Sequence, residues 1–246
     1  MIYLSEFIGT LLLVLLGNGV VYSVSAKKMF ANQPGKWAVI AIGWGLAVLV
    51  GVIVAVALGG PAHLNPAVTV FSLVSNSFKN YSELAFIPLQ FAGAIVAQLV
   101  LDFINWRHIQ ETDLGSVRGS HATGPAYDNF KEKGLLFNFS YELVGTLVLI
   151  GVIFALGKTS FGNLGPIPVA LLVMSIGMSL GSSTGYAINP ARDLGPRVVY
   201  YLMELTVLSN RKSEHVGANW SYSWVPVIAP LLGGALIGAL AHIPAF

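Results

Sequence analysis

The chain has 246 residues, of which 55% are hydrophobic and 10% charged, with a net charge of +2 and no cysteine; its mean hydropathy is +0.73. This composition lies far from that of a soluble domain and places the chain in a bilayer. Without cysteine there are no disulfides, thiolate metal sites or cysteine nucleophiles, and basic residues scattered singly or in pairs form neither a nucleic-acid footprint nor a polybasic lipid patch.

The predicted elements follow from apolar length, since a helix needs ~20 residues to cross the hydrocarbon. Segments near that length fall at about 2–24, 37–59, 82–105, 137–157, 165–183 and 223–243. The first carries Glu6 in its opening turn. With no basic leader or small-residue cleavage site before it, it reads as a span rather than a secretory signal. The second span holds Trp44. Asn65 to about Asn76 is moderately apolar and about a dozen residues long, and at 1.5 Å of rise per residue it reaches only about half the membrane. The polar stretch from Arg107 to Lys133 reads as a connecting loop over the surface, and Lys158 to Gly165 as a short turn. Asn189 to about Met203 is a second half-length element. No composition shift marks a second domain, so residues 1–246 read as one.

The chain repeats itself. Glu6-Phe7-Ile8-Gly9-Thr10 resembles Glu142-Leu143-Val144-Gly145-Thr146, and Asn65-Pro66-Ala67 returns as Asn189-Pro190-Ala191. Repeat one covers about 1–106 and repeat two about 137–246. Three crossings per copy force the second copy to enter from the opposite face, so the half-helices meet near the midplane. Proline at the first helical position gives up an amide hydrogen that would have had no partner, and the asparagine before it is a favoured cap. The cap uses the side-chain carbonyl and leaves the amide NH2 of Asn65 and Asn189 as donors at the centre. Both helix dipoles point their positive ends there and disfavour cations.

Unwound backbone at membrane depth is tolerated only where it lines a wet cavity. The stretches Gly60-Pro61-Ala62-His63-Leu64 and Thr184-Gly185-Tyr186-Ala187-Ile188 are therefore expected to present carbonyls to a pore. Arg192 lies three residues past Asn189, where repeat one has Val68, and an arginine at that depth is a functional candidate at the narrowest point. Glu6 and Glu142 read either as proton-relay carboxylates or as braces for the re-entrant loops, and the brace is the preferred reading. His63 has no second ligand at helical spacing, so it reads as an orienting residue. Asp193 and Arg197 are spaced for an i,i+4 ion pair of structural weight. Glycines within the spans read as close helix packing. No cofactor or metal is expected.

Two Asn-Pro-Ala heads in inverted repeats resemble the major intrinsic proteins, the aquaporins and aquaglyceroporins, over essentially the whole chain. The run Asn189 to Asp193 followed by Gly195-Pro196-Arg197 is similar to the glycerol-facilitator branch. The resemblance implies an all-α membrane protein of six transmembrane helices and two re-entrant half-helices. It implies a selectivity filter of Trp44, Gly177, Tyr186 and Arg192, with Gly177 leaving room for a carbon chain. Pore-lining and supporting residues would be Pro61, Ala62, His63, Gly185, Ala187, Glu6 and Glu142. Two residues depart from that branch: Tyr186 stands where it carries phenylalanine, and Pro61 where glycine is usual.

The function expected is passive passage of glycerol and water, with ions and protons excluded, through a homotetramer in the plasma membrane with cytoplasmic termini. That orientation puts every Lys and Arg except Lys79 and Lys158 outside or in the pore, against the positive-inside rule. Alternative solutes are undissociated lactic acid, dihydroxyacetone and urea. A proton-coupled transporter would use the same broken helices, and a membrane enzyme would need a nucleophile or acid–base cluster that the spans do not offer.

Overall fold

The computed structural model describes residues 1–214 and 216–244. Among these, all regular structure is helical. Repeat one contains α1 (Ile2–Ser25), α2 (Lys36–Ala57), α3 (Pro66–Ser75) and α4 (Phe86–Ile104). Two short helices follow, α5 (Trp106–Glu111) and α6 (Leu114–His121). Repeat two contains α7 (Leu135–Leu156), α8 (Ile167–Leu180), α9 (Pro190–Leu205), α10 (Trp220–Ser223) and α11 (Val225–Leu240).

The packing shows the repeat. α1 packs on α2 and α4, as α7 packs on α8 and α11. The half-helices are exchanged: α3 of the first repeat packs on α11 of the second, and α9 of the second on α4 of the first. Neither repeat covers its own half-helix alone. Outward faces are apolar, with Phe103, Leu136, Phe137 and Leu171 all exposed, as hydrocarbon solvent permits.

Among the described residues, five helical stretches are long and apolar enough to cross a membrane by length and composition alone: Ile2–Ser25, Lys36–Ala57, Tyr81–Ile104, Leu135–Leu156 and Trp220–Leu240. The sixth expected segment, at 165–183, is the shorter apolar helix α8, of 14 residues. Its start is set by Gly165, at φ +65°, and Pro166, which pre-sets the backbone for the first turn. At 1.5 Å per residue α8 spans ~21 Å.

The stretch from Arg107 to Lys133 is not a surface connection. It contains most of α5 and all of α6, and it buries Ile109, Leu114, Val117, Ser120 and His121 against Tyr22, Leu101, Val199, Tyr200 and Met203. Asp113 caps α6 by accepting from the Ser116 amide at 2.8 Å, and that bond holds its carboxyl below the usual range.

Candidate pore

Both half-helices begin on an asparagine in extended conformation. Asn65 Oδ1 accepts from the Ala67 amide at 2.9 Å, and Asn189 Oδ1 from the Ala191 and Arg192 amides at 3.1 and 3.3 Å. The amide ends cross over: Asn65 Nδ2 donates to Ile188 O, and Asn189 Nδ2 to Leu64 O, each at 2.8 Å. The expectation of two free donors is thereby narrowed. Each NH2 spends one hydrogen on tying the two loops together and keeps one for the lumen.

The loops leading in are held open by strain and by carboxylates. Ala62, Leu64, Tyr186 and Ile188 all have positive φ, a conformation costing about 1–3 kcal/mol at a non-glycine residue unless the surroundings impose it. Here the surroundings do so. Glu6 accepts from the His63 and Leu64 amides at 2.7 and 2.8 Å, and Glu142 from the Ala187 and Ile188 amides at 3.0 and 2.9 Å.

Three residues beyond each glutamate a glycine makes room. A Cβ at Gly9 would collide with Leu64, and one at Gly145 would crowd Ile188. With these amides committed, no protein donor among the described residues reaches the carbonyls of Ala62, His63, Gly185 or Tyr186.

A cavity of about 840 Å³ runs along these loops. The loops and half-helix heads contribute Pro61, Ala62, His63, Asn65, Tyr186, Ala187, Asn189 and Arg192 to its lining, and α2, α7 and α8 contribute Val48, Val52, Leu149, Ile153 and Val173. The lumen is therefore lined by both hydrogen-bonding and apolar groups.

At one end the Arg192 guanidinium stacks over the Trp44 ring, 4.1 Å from its centroid. This is a cation–π geometry, and no protein acceptor among the described residues takes its N–H groups. The Trp44 ring is accommodated by Gly17, whose absent Cβ would lie inside it. The indole N–H of Trp44 and the hydroxyl of Tyr186 are buried without a protein partner.

Gly177 does not leave open space. A Cβ there would meet Tyr186 Cζ at 2.8 Å and Ala41 Cβ at 3.0 Å, so the tyrosine ring occupies the room. Trp37 completes the arrangement. Its Nε1 donates to Gly177 O at 2.9 Å, and its ring meets Tyr186 edge-on at 5.9 Å.

His63 sits between Thr69, with Nδ1 3.2 Å from Oγ1, and the Phe86 ring. Asp193 and Arg197 do form an ion pair, at 2.8 Å, but both side chains are fully buried rather than exposed. Asp193 also accepts from Thr123 N and Oγ1, and Arg197 donates to Thr123 O and Ala218 O.

Sequence reasoning missed Trp37, Gln90 and Thr123. Trp37 lies two turns before Trp44 on one helix face, which was a readable signal. Gln90, donating to Glu6 Oε2 at 2.8 Å and Thr69 Oγ1 at 3.1 Å, and Thr123 gave none.

Comparison with known proteins follows this geometry. A family model described as Major intrinsic protein matches residues 2–242. The chain is 43% identical to a probable glycerol uptake facilitator protein of Mycoplasmoides gallisepticum, over 98% of this chain and 96% of that one. It is 42% identical to the glycerol uptake facilitator protein of Streptococcus pneumoniae, over 94% of each. In structure it is similar to the aquaglyceroporin from Plasmodium falciparum, with a TM-score of 0.75 at 27% identity, covering 96% of this chain and 93% of that one.

Proposed function

The chain belongs to the major intrinsic protein family, and on that premise we propose that it is a passive channel carrying glycerol, together with water, across the plasma membrane while holding back ions and protons. It is a multi-pass membrane transport protein. The observation that carries the reading is the mixed lining of the cavity, hydrogen-bonding from the loops and apolar from the helices. A polyol can turn its hydroxyls to the free carbonyls, the asparagine amides and Arg192, and its carbon chain to Val48, Val52, Leu149 and Val173. An ion finds no wall able to replace a full hydration shell and meets the positive ends of α3 and α9.

Glu6 and Glu142 are braces in this scheme, because each spends both oxygens on backbone amides. Termini facing the cytoplasm and assembly as a homotetramer complete the proposal. Undissociated lactic acid is a second reading, favoured by the unpartnered donors of Trp44 and Tyr186 beside Arg192. Both are tested in proteoliposomes by light scattering: glycerol enters with low activation energy and without response to an imposed pH or sodium gradient. Saturable, gradient-driven uptake would overturn the channel reading. Faster uptake of lactic acid than of glycerol in the same vesicles would favour the second.

A further inference from the structure

Beneath the third loop lies a buried polar cluster that the pore does not use. Asp102 on α4 is its hub. Oδ1 accepts from Tyr22 Oη at 2.6 Å and Gln98 Nε2 at 2.9 Å, and Oδ2 faces His121 Nε2 at 3.0 Å. Asn18 joins Gln98 Oε1 at 2.8 Å to the His121 carbonyl at 3.1 Å. His121, the last residue of α6, is fully buried, and its Nδ1 lies 2.8 Å from Val117 O.

Both ring nitrogens thus lie within hydrogen-bond distance of a protein oxygen, which fixes the ring at the end of α6. The other titratable groups facing the ring are Tyr22 from α1 and Tyr200 from α9, both edge-on. Arg118, on the same helix, turns away to Gly217 O.

Two residues further on, Thr123 reaches the pore-side elements. Its N and Oγ1 donate to Asp193 at 2.8 and 2.6 Å, and its carbonyl accepts from Arg197 at 2.8 Å. Its side chain abuts Gly185, at φ +86°, where a Cβ would lie 3.1 Å from it. Ala126 N adds a bond to Ser183 O at 2.8 Å. Residues 121–123 therefore form a strap: one end is held by the His121–Asp102 contact, and the other supports the turn that carries Tyr186 and the helix that carries Arg192.

We propose that Asp102 and His121 are positioning residues for the pore, setting Tyr186 and Arg192 through Thr123. The inference rests on the channel reading above. A buried polar side chain left without its partner is costly, so replacing either residue loosens the strap and solute flux drops.

The test uses purified protein in proteoliposomes, with glycerol and water permeability followed in the same vesicles. His121→Gln and Asp102→Asn are expected to lower the glycerol-to-water ratio, by roughly fivefold if an unmet hydrogen bond of ordinary cost governs the strap. Thr123→Val, which leaves the His121–Asp102 contact intact, lowers the ratio as well, and Thr123→Ser restores it.

Lys28→Ala, which breaks an exposed tie to Glu111 on the same loop, keeps the parental ratio. A parental ratio in His121→Gln or in Thr123→Val overturns the inference. Should Asp102→Asn fail to assemble, the other two variants carry the test. A parent that passes no glycerol sinks the channel reading itself.

Discussion

Arg192 is held by an aromatic face rather than by a carboxylate, and this decides what its removal should do. Stacked on Trp44 and lining the cavity, it has no hydrogen-bond acceptor or ion-pair partner among the described residues. Arg192→Val should therefore leave the fold intact and let ions or protons through, read as conductance or as collapse of a pH gradient in loaded vesicles; unchanged conductance would remove the residue from the filter.

Gly177 makes the opposite kind of prediction, one of space. A methyl group there meets the Tyr186 ring and Ala41, and overpacking of this kind costs about 1–3 kcal/mol. Gly177→Ala should lower the thermal midpoint in detergent and push Tyr186 into the lumen, cutting glycerol flux more than water flux. Adding Tyr186→Leu, which removes the obstructing ring, should restore the midpoint.

At the scale of elements, the half-helices are positioned by buried charge. Each glutamate accepts two amides at the same time, and an amide side chain cannot do so without turning its NH2 toward one of them. Glu6→Gln and Glu142→Gln should each destabilise by about 1–3 kcal/mol, to a similar extent because the two sites are related by the repeat. Parental flux should ignore an imposed proton gradient. Arg197 is more exposed to damage than its i,i+4 spacing suggests. Arg197→Met leaves Asp193 charged and buried, at a cost of about 3–5 kcal/mol, measurable as loss of monodisperse protein on heating.

The two asparagine caps and the repeated glutamates were legible because their chemistry is local. A cap acts within three residues, and a repeat shows by comparing the chain with itself. The third loop was not legible, because its ties are remote. Thr123 meets Asp193 across 70 positions and the His121 carbonyl meets Asn18 across 103, and the loop's polar composition resembles that of a solvated linker. The ends of α8 were placed two and three residues too far out, because Gly165-Pro166 and Gly181 bound the helical backbone.

For the whole molecule, the exchange of half-helices is the feature that makes one chain out of two similar halves. α3 rests on α11 and α9 on α4, so each repeat alone would expose an apolar half-helix and the carbonyls of an unwound loop to lipid, where every unmet polar group is costly. The two asparagine amides reinforce this, because each donates only to the other repeat. A break in the covalent chain should matter little wherever the ties lie elsewhere. Lys131 and Glu132 lie in an exposed turn, while the strap at 121–123 and Ala126 stay with the first fragment and dock on the second through Asp193 and Ser183. Co-expression of residues 1–131 with residues 132–246 should therefore reconstitute glycerol flux in vesicles, and either fragment alone should give none. Flux from a single fragment would show that one repeat can build a lumen without the other's half-helix, which the crossed asparagines rule against.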